Sequence, residues 1–96
     1  MNSTIEIDRY VLETLMRDLV GHDRRPASYL TFLAIIGAGD GKPVVASYQQ
    51  LADQTGLSKR TVQQAVGHLR RRGLLGAERR APTEPALFRP LAPWRR

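Results

Sequence analysis

The 96-residue sequence predicts a mainly helical domain with a small β-hairpin, an α+β fold. Three observations carry that expectation. Apolar residues recur at three- and four-residue spacing in separate stretches between Asp8 and Arg72, the signature of helices with a buried face. Glycines stand where those stretches end, at Gly21, Gly37, Gly56 and Gly73, the residue type that most easily takes the left-handed conformation closing a helix. After Gly73 the pattern changes: two short extended runs flank a proline-rich turn. The length suits one domain.

The chain is organised around Ser47 to Leu75. Tyr48, Leu51, Ala52 and Thr55 share one helical face, Ser47 precedes them as an N-cap and Gly56 follows them. A turn of a few residues leads to Ser58, a second N-cap. Val62, Ala65, Val66 and Leu69 then define a second helix running to about Arg72. Two short helices across such a turn, with small Ala52 where they cross, form a helix-turn-helix. With the apolar face of the second helix turned inward, Arg60, Gln64, Gly67 and Arg71 lie opposite it, and Lys59, Thr61 and Gln63 lie beside them. Arg and Lys pair with guanine, Gln bonds adenine bidentately, and Thr takes a phosphate. A basic helix face alone is ordinarily just a solvated one. Here the two-helix spacing, the turn glycine and the charge distribution agree on double-stranded DNA.

The stretch LADQTGLSKRTVQQAVGHLRRRGLL, Leu51 to Leu75, resembles the helix-turn-helix of bacterial winged-helix regulators, in the broad style of the GntR and MarR families. The resemblance rests on the Gly56-Leu57-Ser58 turn, the Thr61-Val62 pair and the exit through Gly73-Leu74-Leu75. It implies a winged helix-turn-helix fold and DNA binding. GntR-like sequences often carry a basic residue directly after the Thr-Val pair. Gln63 stands there in this chain, so the position carries over and a guanine preference does not.

The flanking segments are read in order. Residues 1–6 are a polar lead-in. From Asp8, a capping residue, Val11, Leu12, Leu15, Met16, Leu19 and Val20 form a wide apolar stripe on a helix ending at Gly21, with Glu13 and Arg17 as an i,i+4 pair on the wet side. This helix is extra to a minimal winged domain, and six large apolar residues exceed what a short domain can cover. It packs either on its own domain or against the same helix of a second copy, and a homodimer is the favoured expectation. Pro26 opens the next helix, whose Tyr29, Leu30, Phe32, Leu33, Ile35 and Ile36 are apolar on more than one face and mark the most enclosed element. The glycine-rich stretch from Gly37 to Pro43 has no strand before it and no GK[ST] ending, so it reads as a turn and not as a phosphate loop. Val44-Val45-Ala46 is a short strand. Leu74 to Arg80 and Ala86 to Arg89 form the hairpin, with Ala81-Pro82-Thr83-Glu84-Pro85 as its turn and Arg79 and Arg80 near the tip. Trp94 is expected to fold back on the core.

Charge is divided along the chain. Residues 1–55 hold five basic groups and seven acidic ones, and residues 56–96 hold ten basic groups and two acidic ones. The basic half coincides with the second helix of the motif and the hairpin. With no cysteine, disulfides and thiolate metal sites are excluded. His22 and His68 lie far apart without ligand-like spacing. No nucleophile–base–acid set, cofactor motif, ligand pocket or membrane-spanning run stands out, and the expectation is a cytoplasmic protein without catalysis, cofactor or metal. Residues 1–21 are the expected dimerisation helix and residues 22–96 the DNA-binding domain. The expected DNA contacts are Ser58, Lys59, Arg60, Thr61, Gln63, Gln64, Arg71, Arg79 and Arg80. The expected function is a small bacterial transcription regulator binding specific sequences, with the second helix in the major groove and the hairpin wing on flanking backbone. Its rivals are a DNA-binding component of plasmid or phage replication or partition machinery, and a winged-helix protein-interaction module.

Overall fold

The computed structural model describes residues 3–82 and 84–95. A helical N-terminal segment leads into α1 (Pro26–Gly39), β1 (Val44–Ala46), α2 (Tyr48–Thr55), α3 (Lys59–Arg71), β2 (Leu75–Glu78) and β3 (Ala86–Pro90). The strands form one antiparallel sheet in the order β1-β3-β2, with Val44 opposite Phe88, and Gly76 opposite Arg89. The result is an α+β architecture with α1 at its centre, packed on α2, α3 and the sheet. Phe32, Ile35, Leu51, Val62, Leu69 and Phe88 make the core, all fully enclosed. Among the described residues no helix is long and apolar enough to cross a membrane.

Local chemistry sets most element ends. Ser47 caps α2 through a reciprocal capping box, its hydroxyl accepting from the Gln50 N–H while the Gln50 side chain accepts from the Ser47 N–H. Gly56 closes that helix at φ 80°, a region where other residues are strained. Gly39 ends α1 where an added Cβ would collide with Val44 Cγ2, so any larger residue forces the helix end and β1 to shift apart. The residue after it, Asp40, takes the left-handed capping conformation.

The N-terminal helix departs from expectation in its winding. It consists of two π-helical runs, Val11–Leu15 and Arg17–His22, and ends one residue past Gly21. Closing i→i+5 hydrogen bonds puts more residues in each turn than the about 3.6 of an α-helix. Residues four apart then drift little around the axis, and the apolar stripe splits into two straight rows. Val11, Leu15 and Leu19 are buried against α1, while Leu12, Met16 and Val20 lie exposed beside them. Tyr29 ties the buried row to α1 by donating its hydroxyl to the Val11 carbonyl at 2.9 Å.

Asp8 does not cap this helix with its side chain, as the sequence suggests. Its carboxylate accepts instead from Trp94 Nε1 at 2.9 Å and from Arg95 Nε at 2.6 Å, and Trp94 stacks on Tyr10. The C-terminal segment is thus folded back onto the start of the chain, as expected of Trp94. Arg95, and after it Trp94, hold the Asp8 carboxyl at about 2, below its ordinary 3.8. A depressed carboxyl contributes stability above its unfolded pKa and loses it as pH falls through its folded one. The emission of Trp94, the chain's one tryptophan, is therefore expected to change between about pH 4 and pH 2, and Asp8→Asn is expected to abolish that transition.

Candidate nucleic-acid interface

The face presented by α3 follows from what the helix buries. Val62, Ala65, Val66 and Leu69 point into the core as the periodicity requires, leaving Lys59, Arg60, Gln63, Gln64, Arg70 and Arg71 exposed. Among the described residues Lys59, Arg60, Arg70, Arg71 and Arg80 form no ion pair with protein. Lys59 and Arg60 stand in the first turn of α3, which carries no acidic residue. That is the reverse of the arrangement that suits a helix, whose N-terminus favours negative charge. The first turn is thus an electropositive point, with two unpaired cations and the exposed end of the helix dipole superimposed.

The remaining expected contact residues are placed less uniformly. Ser58 caps α3, its hydroxyl accepting from the Thr61 N–H at 3.0 Å and donating to Thr61 Oγ1 at 2.8 Å. Both hydroxyls are already engaged with each other, so their first task is to hold the helix start. Arg71 lies back along the helix, close enough that a Cβ on Gly67 would sit 3.4 Å from its Nη1. Gly67 is therefore partly covered by an arginine side chain. Strand β2 ends at Glu78, which leaves Arg79 and Arg80 in the connecting loop. Arg79 and Arg80 are both exposed, and Arg79 rests over the Tyr48 ring at 5.2 Å and donates to the Pro82 carbonyl at 3.4 Å. Thr83, within the expected hairpin turn, and Arg96, beside Trp94, lie outside the described residues.

Two arginines missing from the expected set complete this face. A groove of about 660 Å³ runs between α3 and the hairpin, lined by Gly67, Gly76 and Ala77 together with Arg70, Arg71 and Arg89. Arg89 stands there because the strand register sets it against Gly76, and its guanidinium pairs with Glu78 at 3.6 Å. Alternation along β3 marks Arg89 as outward in the sequence, but only the register shows that it shares a groove with α3.

One flank of α3, between its exposed face and the core, is clamped by a polar cluster. His68, 45 residues from Asp23 in the chain, donates Nε2–H to the Asp23 carboxylate at 2.9 Å, and Ser28 donates to its Nδ1 at 2.8 Å. A carboxylate can only accept, which assigns the imidazole proton to Nε2. Arg72 bridges Asp23, at 3.0 Å, and Asp18. His22 then adds its Nδ1 at 2.8 Å from Asp23. His22, followed by His68 and Arg72, keeps the Asp23 carboxyl below its ordinary range against the opposing effect of burial. The histidines that look isolated in the sequence thus converge on one aspartate. Ser28, His68 and Asp23 are the groups of a nucleophilic triad, but Ser28 is 1% exposed and no substrate can reach its hydroxyl. Asp18, His22 and Asp23 bring three potential metal-ligand atoms within 4.8 Å of one another, where Arg72 already spans both carboxylates. A second cavity, of about 550 Å³, that the sequence does not announce is lined by residues 4–8 and the C-terminal segment together with Phe32 and Ile36.

Comparison with protein-family models, with curated proteins and with solved structures finds no match for this chain.

Proposed function

We propose that the chain is a winged helix-turn-helix protein that binds specific double-stranded DNA sequences and acts as a small transcription regulator. In this reading α2 and α3 are the helix-turn-helix, β2 and β3 are the wing, and β1 closes the sheet against the wing. The observation that carries it is the unpaired pair Lys59 and Arg60 at the start of α3. Two cations at a helix N-terminus cost folding energy, and local features that oppose the fold are expected where function requires them. A polyanion entering at that point offsets the cost, and the helix end with its exposed N–H groups adds a further anion site. Gln63 and Gln64, next along the same face, supply the amide groups that read adenine. Arg70, Arg71 and Arg89 line the groove beside them, and Arg80 extends from the wing, which suits phosphates on either side of a major-groove contact. A protein-interaction role for α3 fits less well, because its exposed face is neither apolar nor acidic.

The test is the salt dependence of duplex binding. With five or six phosphates neutralised per copy, log K falls against log salt with a slope of about −5. An affinity that barely changes between low and moderate salt removes DNA as the partner.

A further inference from the structure

Leu12, Met16 and Val20 are 50%, 42% and 38% exposed and lie in one straight row on the outer side of the N-terminal helix. The helix itself is held firmly, by Val11, Leu15 and Leu19 in the core and by Asp18 on Arg72. A rigid helix with a straight apolar row along its outer flank is a surface built to meet another helix. The charges beside that row indicate which one. Arg9, Glu13 and Arg17 form the next row around the axis. Among the described residues Glu13 is paired only with Arg9, at 3.2 Å, and that arginine is largely exposed. Arg17 reaches the Glu13 backbone carbonyl but, among the described residues, no carboxylate.

We propose that this face pairs with the same face of a second copy, antiparallel, about a two-fold axis through Met16. In that arrangement Leu12 of each copy meets Val20 of the other, and Met16 meets Met16. Two-fold pairing of antiparallel helices sets each flanking row against itself in reverse. Glu13 of each copy then lies within a turn of Arg17 of the other, which supplies the carboxylate that Arg17 lacks. A parallel pairing would set the charged row against the flank already buried in the core and leaves those charges unmatched. Three half-exposed side chains per copy make a patch well below the about 1,200–2,000 Å² of a standard interface, so the association is weak, and the site is of the kind that two adjacent DNA half-sites would reinforce. The pairing itself does not depend on the DNA reading.

The chain contains no cysteine, which permits a direct test. Leu12→Cys, Met16→Cys, Val20→Cys and, as an exposed control on α2, Gln54→Cys are oxidised singly in a glutathione buffer, without DNA. The substituted positions are exposed, and circular dichroism checks that each variant is folded. Met16→Cys is expected to form disulfide dimers about ten-fold faster than the control. Leu12→Cys and Val20→Cys alone are expected at the control rate, because like residues stand on the order of 10 Å apart along the antiparallel pair, beyond the about 7 Å that a disulfide spans. An equimolar mixture of those two is expected to cross-link at the Met16→Cys rate. Adding Glu13→Arg should slow the Met16→Cys reaction, and adding Arg17→Glu to that variant should restore it. Met16→Cys at the control rate overturns the pairing, and rapid self-linking of Leu12→Cys overturns its direction. Because DNA is absent, neither result bears on duplex binding.

Discussion

His68→Ala is expected to lower the unfolding free energy by about 2–4 kcal/mol, the sum of a cavity and of hydrogen bonds left unmade. The imidazole fills the space between α3, α1 and the connector at Asp23, and both of its nitrogens are used. Its removal strands the Ser28 hydroxyl, which is fully buried, without an acceptor. Asp23 is less exposed to loss because Arg72 and His22 remain beside it. Ser28→Ala removes one of the two bonds and a smaller volume, so about 1–2 kcal/mol is expected. Urea unfolding at neutral pH measures both. Since the His68 ring is buried on Ser28 and Asp23 and is not part of the exposed face of α3, folded His68→Ala is expected to retain the wild-type affinity for a duplex. A loss below about 1 kcal/mol would mean that the cluster is incidental to holding α3 in place.

How much of this is legible in the sequence depends on the range of the interaction involved. Ser47, Gly56, Ser58 and Gly73 act within a few residues of themselves, and the ends of α2 and α3 can be read from them. The buried faces of those helices follow from side-chain spacing alone. The clasp on α3 cannot be read this way, because His68 meets Asp23 and Arg72 meets Asp18 across 45 and 54 residues, and only the packing of α3 against α1 brings them together. Arg72 looks like one of three equivalent arginines at Arg70-Arg71-Arg72. Its position at the end of α3 turns it toward the acidic N-terminal half, while its neighbours face outward. Arg89 enters the basic groove through a strand register that depends on the intervening turn. The splitting of the N-terminal stripe into a buried and an exposed row depends on π winding, and the pattern Val11, Leu12, Leu15, Met16, Leu19, Val20 would suit an ordinary α-helix equally well. The stripe therefore announces more apolar surface than the domain needs, without saying which half is left outside.

If the outer face of α3 reads DNA sequence, as proposed, substitutions on the helix and on the hairpin have different effects. Arg60 and Gln64 are exposed early in α3, where major-groove readers place base-contacting side chains. Arg80 lies in the loop after β2 and has charge without a fixed frame, so it is expected to grip backbone. Arg79 is partly restrained by the Tyr48 ring and the Pro82 carbonyl, and its contribution is expected to be the smaller of the two. On the preferred site, Arg60→Ala or Gln64→Ala is expected to cost about 1–3 kcal/mol and to relax the choice of base at one position. Arg80→Ala is expected to weaken all sequences alike and to reduce the salt slope by about one unit. All four substituted positions are exposed, so stability should change little. The direct measurement is selection from a random duplex pool, carried out in parallel with wild type, Arg60→Ala, Gln64→Ala, Arg79→Ala and Arg80→Ala. One enriched motif is expected for wild type, the same motif for both hairpin variants, and a motif degenerate at one position for each helix variant. A motif that changes with Arg79→Ala or Arg80→Ala and survives Arg60→Ala and Gln64→Ala would contradict the proposal and make the hairpin the reader.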